Sequence, residues 1–232
     1  MCISYTKYMA KVARKYKFAV IASDVVMLTV RDGKLEVLCI QMQKAPFIGK
    51  WAVPGGLVQP TESVDEAAHR ILAEKAGIHG VYLEQLYTFG KVRRDPFGRV
   101  VSVAYFALVP SDALRLKTTK EYKDVQWFPV KKLPGLAYDH ADIVATAVQR
   151  LQAKLGYTNI VYSLLPKTFT LSELQGMYET ILGKTLDKRN FRKKVIGLKL
   201  VKPAGEQRKG QASRPAELYR FAATELKKVE IL

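Results

Sequence analysis

The sequence predicts an α/β (α+β) chain: a sandwich over residues 1–156, then a smaller helix–turn–helix domain with a β-hairpin over 157–232. Three observations carry that expectation. Apolar, β-branched runs separated by turn signals fill the first part, with one amphipathic helix inserted and a second closing it. The later part changes texture, to two short capped helices followed by two short strands. The charge is also uneven: 38 Lys and Arg stand against 21 Asp and Glu, a net charge of +17.

In the first part, two apolar runs between residues 18 and 43 flank Arg31-Asp-Gly-Lys34. Asp-Gly at such a place signals a hairpin, because both central turn positions want positive φ. Asp24 interrupts the first run. A short strand is expected at Trp51 to Val53, a sharp loop at Pro54-Gly55-Gly56, and a helix from Ser63 to Ala76 stopped by Gly77. Strands are expected at Tyr82 to Phe89 and Val100 to Leu108 around the turn Asp95-Pro-Phe-Gly98, and again at Val125 to Phe128. Asp139 to Leu155 reads as a helix with Ile143, Ala147, Leu151 and Leu155 on one face.

In the second part, Thr170-Leu-Ser-Glu173 is a capping box that opens a helix to about Leu182, which Gly183 ends. Asp187 caps a second helix, Lys188 to Ile196, with Gly197 as its stop. Strands at Leu198 to Val201 and Leu218 to Ala222 enclose a Gly-, Lys- and Arg-rich loop. Helix, turn, helix and hairpin make the plan of a winged helix-turn-helix.

The composition sets bounds. With 48% hydrophobic residues the chain can build a core, and its positive excess points to a polyanionic partner. Cys2 and Cys39 are the two cysteines, which supply neither a disulfide framework nor a zinc ligand set and fit a cytoplasmic protein. Basic residues before the run Phe18 to Val30 loosely mimic a signal peptide, but Asp24 breaks the run, and it reads better as a strand. No stretch approaches the roughly 20 apolar residues of a membrane span, so no membrane partner is expected.

One segment carries chemistry. Gly56-Leu-Val-Gln-Pro-Thr-Glu62 is followed, seven residues on, by Arg70-Ile-Leu-Ala-Glu-Lys-Ala-Gly77-Ile78. The layout resembles the Nudix box of enzymes that cleave nucleoside diphosphates linked to another group, and Trp51-Ala-Val-Pro-Gly-Gly56 matches the family's lead-in. The resemblance implies a Nudix-like α/β/α sandwich. In the family three glutamates on one helix face gather Mg²⁺, which neutralises the diphosphate and activates water. Here Ile71 and Lys75 stand at two of those positions and only Glu74 remains. No catalytic residue, metal or cofactor is therefore assigned. A nucleotide-sensing pocket is expected instead, with Lys44, Lys50, Arg93 and Arg94 as phosphate partners. Trp51, Tyr87, Phe89 and Tyr105 are the candidate stacking surfaces. Gly55, Gly56, Arg70 and Glu74 complete the expected ligand-binding set. Two readings of Arg70 stand side by side: orienting Glu62 or Glu74, or touching phosphate.

The second domain supplies a basic face. Lys188, Arg189, Asn190, Arg192, Lys193 and Lys194 crowd one short helix, while Phe191, Val195 and Ile196 are expected to dock it. Such a helix suits the major groove, where Arg reads guanine and Asn reads adenine. Arg208, Lys209 and Arg214 on the wing, and Lys167, Thr168 and Thr170 at the first helix, are expected to meet phosphates.

Both halves together resemble the Nudix-related transcriptional regulators of NAD metabolism. Besides the altered box, the likeness rests on Leu83-Glu-Gln-Leu-Tyr-Thr-Phe89, Arg94-Asp-Pro96, Val101-Ser-Val-Ala-Tyr105, Leu186-Asp-Lys-Arg-Asn-Phe-Arg192 and Arg214-Pro215. It implies a repressor that binds a double-stranded DNA operator as a homodimer and is released by ADP-ribose or a related metabolite. Two alternatives stay open: an active hydrolase of ADP-ribose or dinucleotides, rescued by carboxylates such as Glu62 and Glu121, and the same architecture answering to a sugar.

Overall fold

The computed structural model describes residues 18–110, 122–208 and 215–231. Strands β1 (Val20–Arg31) and β2 (Lys34–Met42) form the expected hairpin. Its turn residues Asp32 and Gly33 have φ of 50° and 67°, the left-handed pair that matches strand twist. Then follow β3 (Trp51–Ala52), β4 (Gly55–Leu57), α1 (Val64–Ala76), β5 (Tyr82–Phe89), β6 (Val100–Leu108), β7 (Tyr122–Pro129) and α2 (His140–Tyr157). Among the described residues these strands make one sheet in the order β3-β2-β1-β6-β5, with β4 joined to β1 and β7 to β2. The β1–β6 pair is parallel.

The alternation of β1 explains the layers. Val25 and Met27 face α1 and pack with Ile71, Leu72 and Tyr105. Val26 and Leu28 face the other way, onto Ile143, Ala147, Leu151 and Leu155 of α2. A strand buried on both faces reads as a continuous apolar run, and β1 does so from Ala22 to Leu28 apart from Ser23 and Asp24. Ser63 caps α1 in a capping box with Glu66, and Gly77 closes it in the left-handed conformation.

Three expectations in this domain need correcting. Gly55 and Gly56 form a strand rather than a sharp loop, paired with Asp24 and Ser23 of β1. Glycine is needed there for approach, not for φ: a Cβ on Gly55 would lie 2.1 Å from the Asp24 Oδ1. The β7 strand is longer at both ends than 125–128, because β2 offers it partners from Glu36 to Met42. Helix α2 runs to Tyr157, past Leu155, until Thr158 turns extended.

After a 3-10 turn (Ile160–Ser163) come α3 (Leu171–Leu182), α4 (Lys188–Gly197), β8 (Val201–Arg208) and β9 (Ala216–Phe221). Thr170 and Glu173 close the expected box on α3, Gly183 ends it, and Asp187 caps α4. Here too the structure differs in detail. Gly197 is the last residue of α4, and the left-handed turn falls on Lys199 at φ 52°, so the next strand begins at Val201 rather than Leu198. The second hairpin strand is Ala216–Phe221. Phe191 and Val195 dock α4, but Ile196 is 48% exposed and does not.

The C-terminal segment clasps the junction between the two parts. The Asn159 side chain accepts from the Lys227 N–H at 2.7 Å and donates to the Glu225 carbonyl at 2.9 Å. The Val229 and Ile231 N–H groups donate to the Tyr157 and Gly156 carbonyls. No helix among the described residues is long and apolar enough to cross a membrane.

Candidate functional site

A cavity of about 480 Å³ opens beside β4, between the start of β1 and the segment joining β5 to β6. Its floor is a buried polar cluster. Asp24 accepts from the Ser102 hydroxyl at 2.6 Å and from Arg94 Nη2 at 3.1 Å. Arg94 also holds both oxygens of Asp139, at 2.7 and 2.9 Å. Burial opposes the Arg94 charge, but the Asp139 hydrogen bonds and the charges of Asp24 and Asp139 outweigh it and keep the guanidinium ionised. His140 accepts the Val53 N–H at Nδ1, 3.0 Å away. Burial drives His140 below its usual value and toward the neutral form. Its proton then sits on Nε2, 3.6 Å from Asp24 Oδ1. Two aspartates, one arginine and a neutral histidine leave the floor with one negative charge in excess. Arg99, Phe97 and Tyr138 stand in the walls. An acidic floor suits hydroxyl or amine donors, and the cationic wall suits phosphate.

Of the expected ligand-binding residues, Gly55, Gly56 and Arg94 line this cavity. Arg94 does so with its guanidinium engaged by two carboxylates rather than turned out toward an anion. Arg93 is its exposed neighbour. The remaining residues lie outside the lining. Lys44 and Lys50 are exposed around the turn between β2 and β3. Trp51 packs edge-on against Phe128, ring centroids 4.7 Å apart. Tyr105 lies on the α1 face, its hydroxyl bonded to Asp65. Tyr87, 60% exposed, meets Phe89 on β5.

The altered box is a structural brace. Arg70 grips both Glu62 oxygens at 2.6 and 2.9 Å, reaches Glu74 at 3.2 Å and donates to the Leu57 carbonyl at 3.1 Å. The Arg70 hydrogen bonds, then the Gln59 N–H, hold the Glu62 carboxyl down at about 2. Ile71 is fully buried in the α1-side core, and the Lys75 ammonium lies 4.8 Å above the Tyr122 ring. The donor set does not fit the Mg²⁺ that the box implies: one position is core hydrocarbon, one is a cation, and Glu74 is tied to Arg70. Among the described residues no group of three or more His, Cys, Asp or Glu is placed to hold a metal ion.

The sequence reading missed Asp24, Ser102, Asp139 and His140 as site residues. The signal it contained was Asp24 itself, a carboxylate inside an otherwise apolar run.

In the second domain Lys188, Arg189, Asn190, Lys193 and Lys194 are exposed on α4. Arg192 crosses to α3 and donates to the Ser172 hydroxyl at 2.9 Å. Arg208 pairs with Glu173 at the start of α3. Lys167 is exposed, and Thr168 and Thr170 are half-buried beside that helix start. The structure thus gathers α4, the α3 N-terminus and the root of the wing on one side. Lys209 and Arg214 lie outside the described residues.

The NUDIX domain family model matches residues 21–150, and that of the NrtR DNA-binding winged helix domain matches 161–221. The chain is 38% identical over 211 residues to the ADPR responsive transcriptional repressor NtrR of Acinetobacter baylyi, covering 89% of this chain and 84% of that protein. It superposes on Shewanella oneidensis NrtR complexed with a 27mer DNA at TM-score 0.76 and 35% identity, covering 87% of this chain and 93% of that one. The Nudix domain of the same Shewanella oneidensis protein, complexed with ADP ribose, matches at TM-score 0.55 and 35% identity, over 63% of this chain and 97% of that one. A NUDIX domain with an altered box, joined to a winged helix with a basic face, places the chain in the NrtR family.

Proposed function

We propose that the protein is a transcriptional repressor that grips an operator through its winged helix and lets go when ADP-ribose, or a related NAD metabolite, fills the cavity beside β4. The observation that carries this reading is a single chain joining a ligand-sized cavity, beside a box lacking two of its three metal carboxylates, to an exposed basic helix. The Acinetobacter baylyi relative is named for its response to ADPR, and the Shewanella oneidensis relative has been seen with DNA and, as its Nudix domain, with ADP ribose. In this reading the ribose hydroxyls meet Asp24 and the diphosphate meets Arg99 and Arg93. The effector-binding part spans 1–156 and the DNA-binding part 157–232. Two copies bind one operator, because a single short recognition helix reads few bases. The setting is the cytoplasm.

Calorimetry of the full chain with ADP-ribose, alongside a Mg²⁺-dependent turnover assay, tests the sensor half. Saturable binding without hydrolysis is expected. Turnover at a rate typical of enzymes, above about 1 s⁻¹, would favour the hydrolase reading instead.

A further inference from the structure

A second and larger cavity, of about 720 Å³, lies between the two domains. The first domain contributes the β1–β2 turn, the segment after β7 and the outer side of α2. The winged helix contributes the last turn of α3. The wall is largely apolar, with Val148 of α2 and Ile181 of α3 in its lining. Lys34, Lys131 and Lys132 stand around it. Among the described residues none of the three is in an ion pair. Concave, mostly apolar space at a domain boundary with a few convergent polar groups is the usual form of a small-molecule site. Three ammonium groups match a phosphomonoester dianion better than a single carboxylate. The apolar wall suits a planar ring, and the exposed Gln149 amide can meet its edge.

The cavity is also coupled to the basic face. Lys131 reaches over to the end of α3, its ammonium 3.6 Å from where a Cβ on Gly183 would stand. A cation there is favoured by the unpaired carbonyls of the last turn. The Gln152 amide donates to the Ile181 carbonyl at 2.9 Å, a second tie between α2 and α3. The other end of α3 carries Ser172 and Glu173, the partners of Arg192 and Arg208. A phosphate on Lys131 competes with its contact to α3. That 12-residue rod of roughly 18 Å then carries the change to the basic face.

We propose that this interdomain cavity binds a nucleoside monophosphate, and that its occupancy changes how α3 is seated and therefore operator affinity. The second clause rests on the repressor reading; the first does not. The test is calorimetry of the full chain, with ADP-ribose present in excess to fill the other cavity, titrated with AMP, GMP, CMP and UMP. At least one is expected to bind at one site per chain. The affinity should fall at least tenfold in the surface variant K131Q/K132Q and be lost in V148W, which fills the space. Without ADP-ribose, the same nucleotide should shift operator affinity at least threefold in the unaltered chain and in neither variant. Failure of all four nucleotides to bind, or binding that both variants leave intact, overturns the site. Binding with unchanged operator affinity overturns the coupling. A chain that binds no operator at all overturns the repressor reading, while the calorimetry still decides the site.

Discussion

Asp24 and Gly55 define the cavity beside β4 as a pair. The carboxylate is held from two sides by Ser102 and Arg94, so it cannot swing away from an added methyl group. Gly55→Ala would place a Cβ 2.1 Å from Asp24 Oδ1. Overpacking of this kind costs about 1–3 kcal/mol. Denaturant unfolding should show a loss of that size, with ADP-ribose binding weakened in the variant that still folds. Two other residues contribute to the acid limit. His140 has a folded-state value depressed below 6.5, so the unfolded chain binds its proton more readily; the stability it contributes is full above 6.5 and falls as pH drops below it. Glu62 is held at about 2 against an ordinary 4.5, so its contribution is full above 4.5 and lost as pH falls toward 2. Thermal melts from pH 8 to 2 should therefore decline in two windows, and Glu62→Gln should shrink the lower one, which Glu66, Glu173 and Glu179, also held below the ordinary carboxylate value, share. A melt curve indifferent to that substitution would contradict the brace assigned to Arg70 and Glu62.

In the proposed account, helix α4 is the element that reads the operator. Its buried side is narrow, Phe191 and Val195, and its other residues stand mostly in solvent. Arg189→Ala and Asn190→Ala should each cost about 1–3 kcal/mol on the preferred operator and relax base preference. Lys193→Ala should weaken all sequences alike and lower the salt slope by about one unit. Fluorescence anisotropy across a set of operator variants and salt concentrations separates the two behaviours. At this scale much is legible in the sequence: β5 and β6 stand where their runs and the Asp95–Gly98 turn put them, and both N-caps on the winged-helix helices hold. What escaped was tertiary. Pro54-Gly55-Gly56 carries every local mark of a turn, yet Gly55 serves a close strand approach to Asp24. The cavity floor joins Asp24 to residues 70 and 78 positions away, a proximity that no local pattern records.

The whole molecule is two domains with a closed junction. Core side chains run without a break from α2 through Ile160 and Val161 to Tyr178 and Phe191. Asn159, 2% exposed, ties that junction to the C-terminal segment. Asn159→Ala removes two side-chain hydrogen bonds to the backbone of Glu225 and Lys227, each worth about 0.5–1.5 kcal/mol. Loss of the clasp should also blunt the operator response to ligand, because the domains then move more independently. The repressor account requires a ligand in one domain to alter DNA affinity in the other, and linkage demands that DNA alter ligand affinity by the same factor. Operator affinity measured by fluorescence anisotropy, at fixed salt with and without saturating ADP-ribose, is the direct test. The account predicts a fall of at least tenfold when ADP-ribose is present; equal affinities in the two conditions would contradict it.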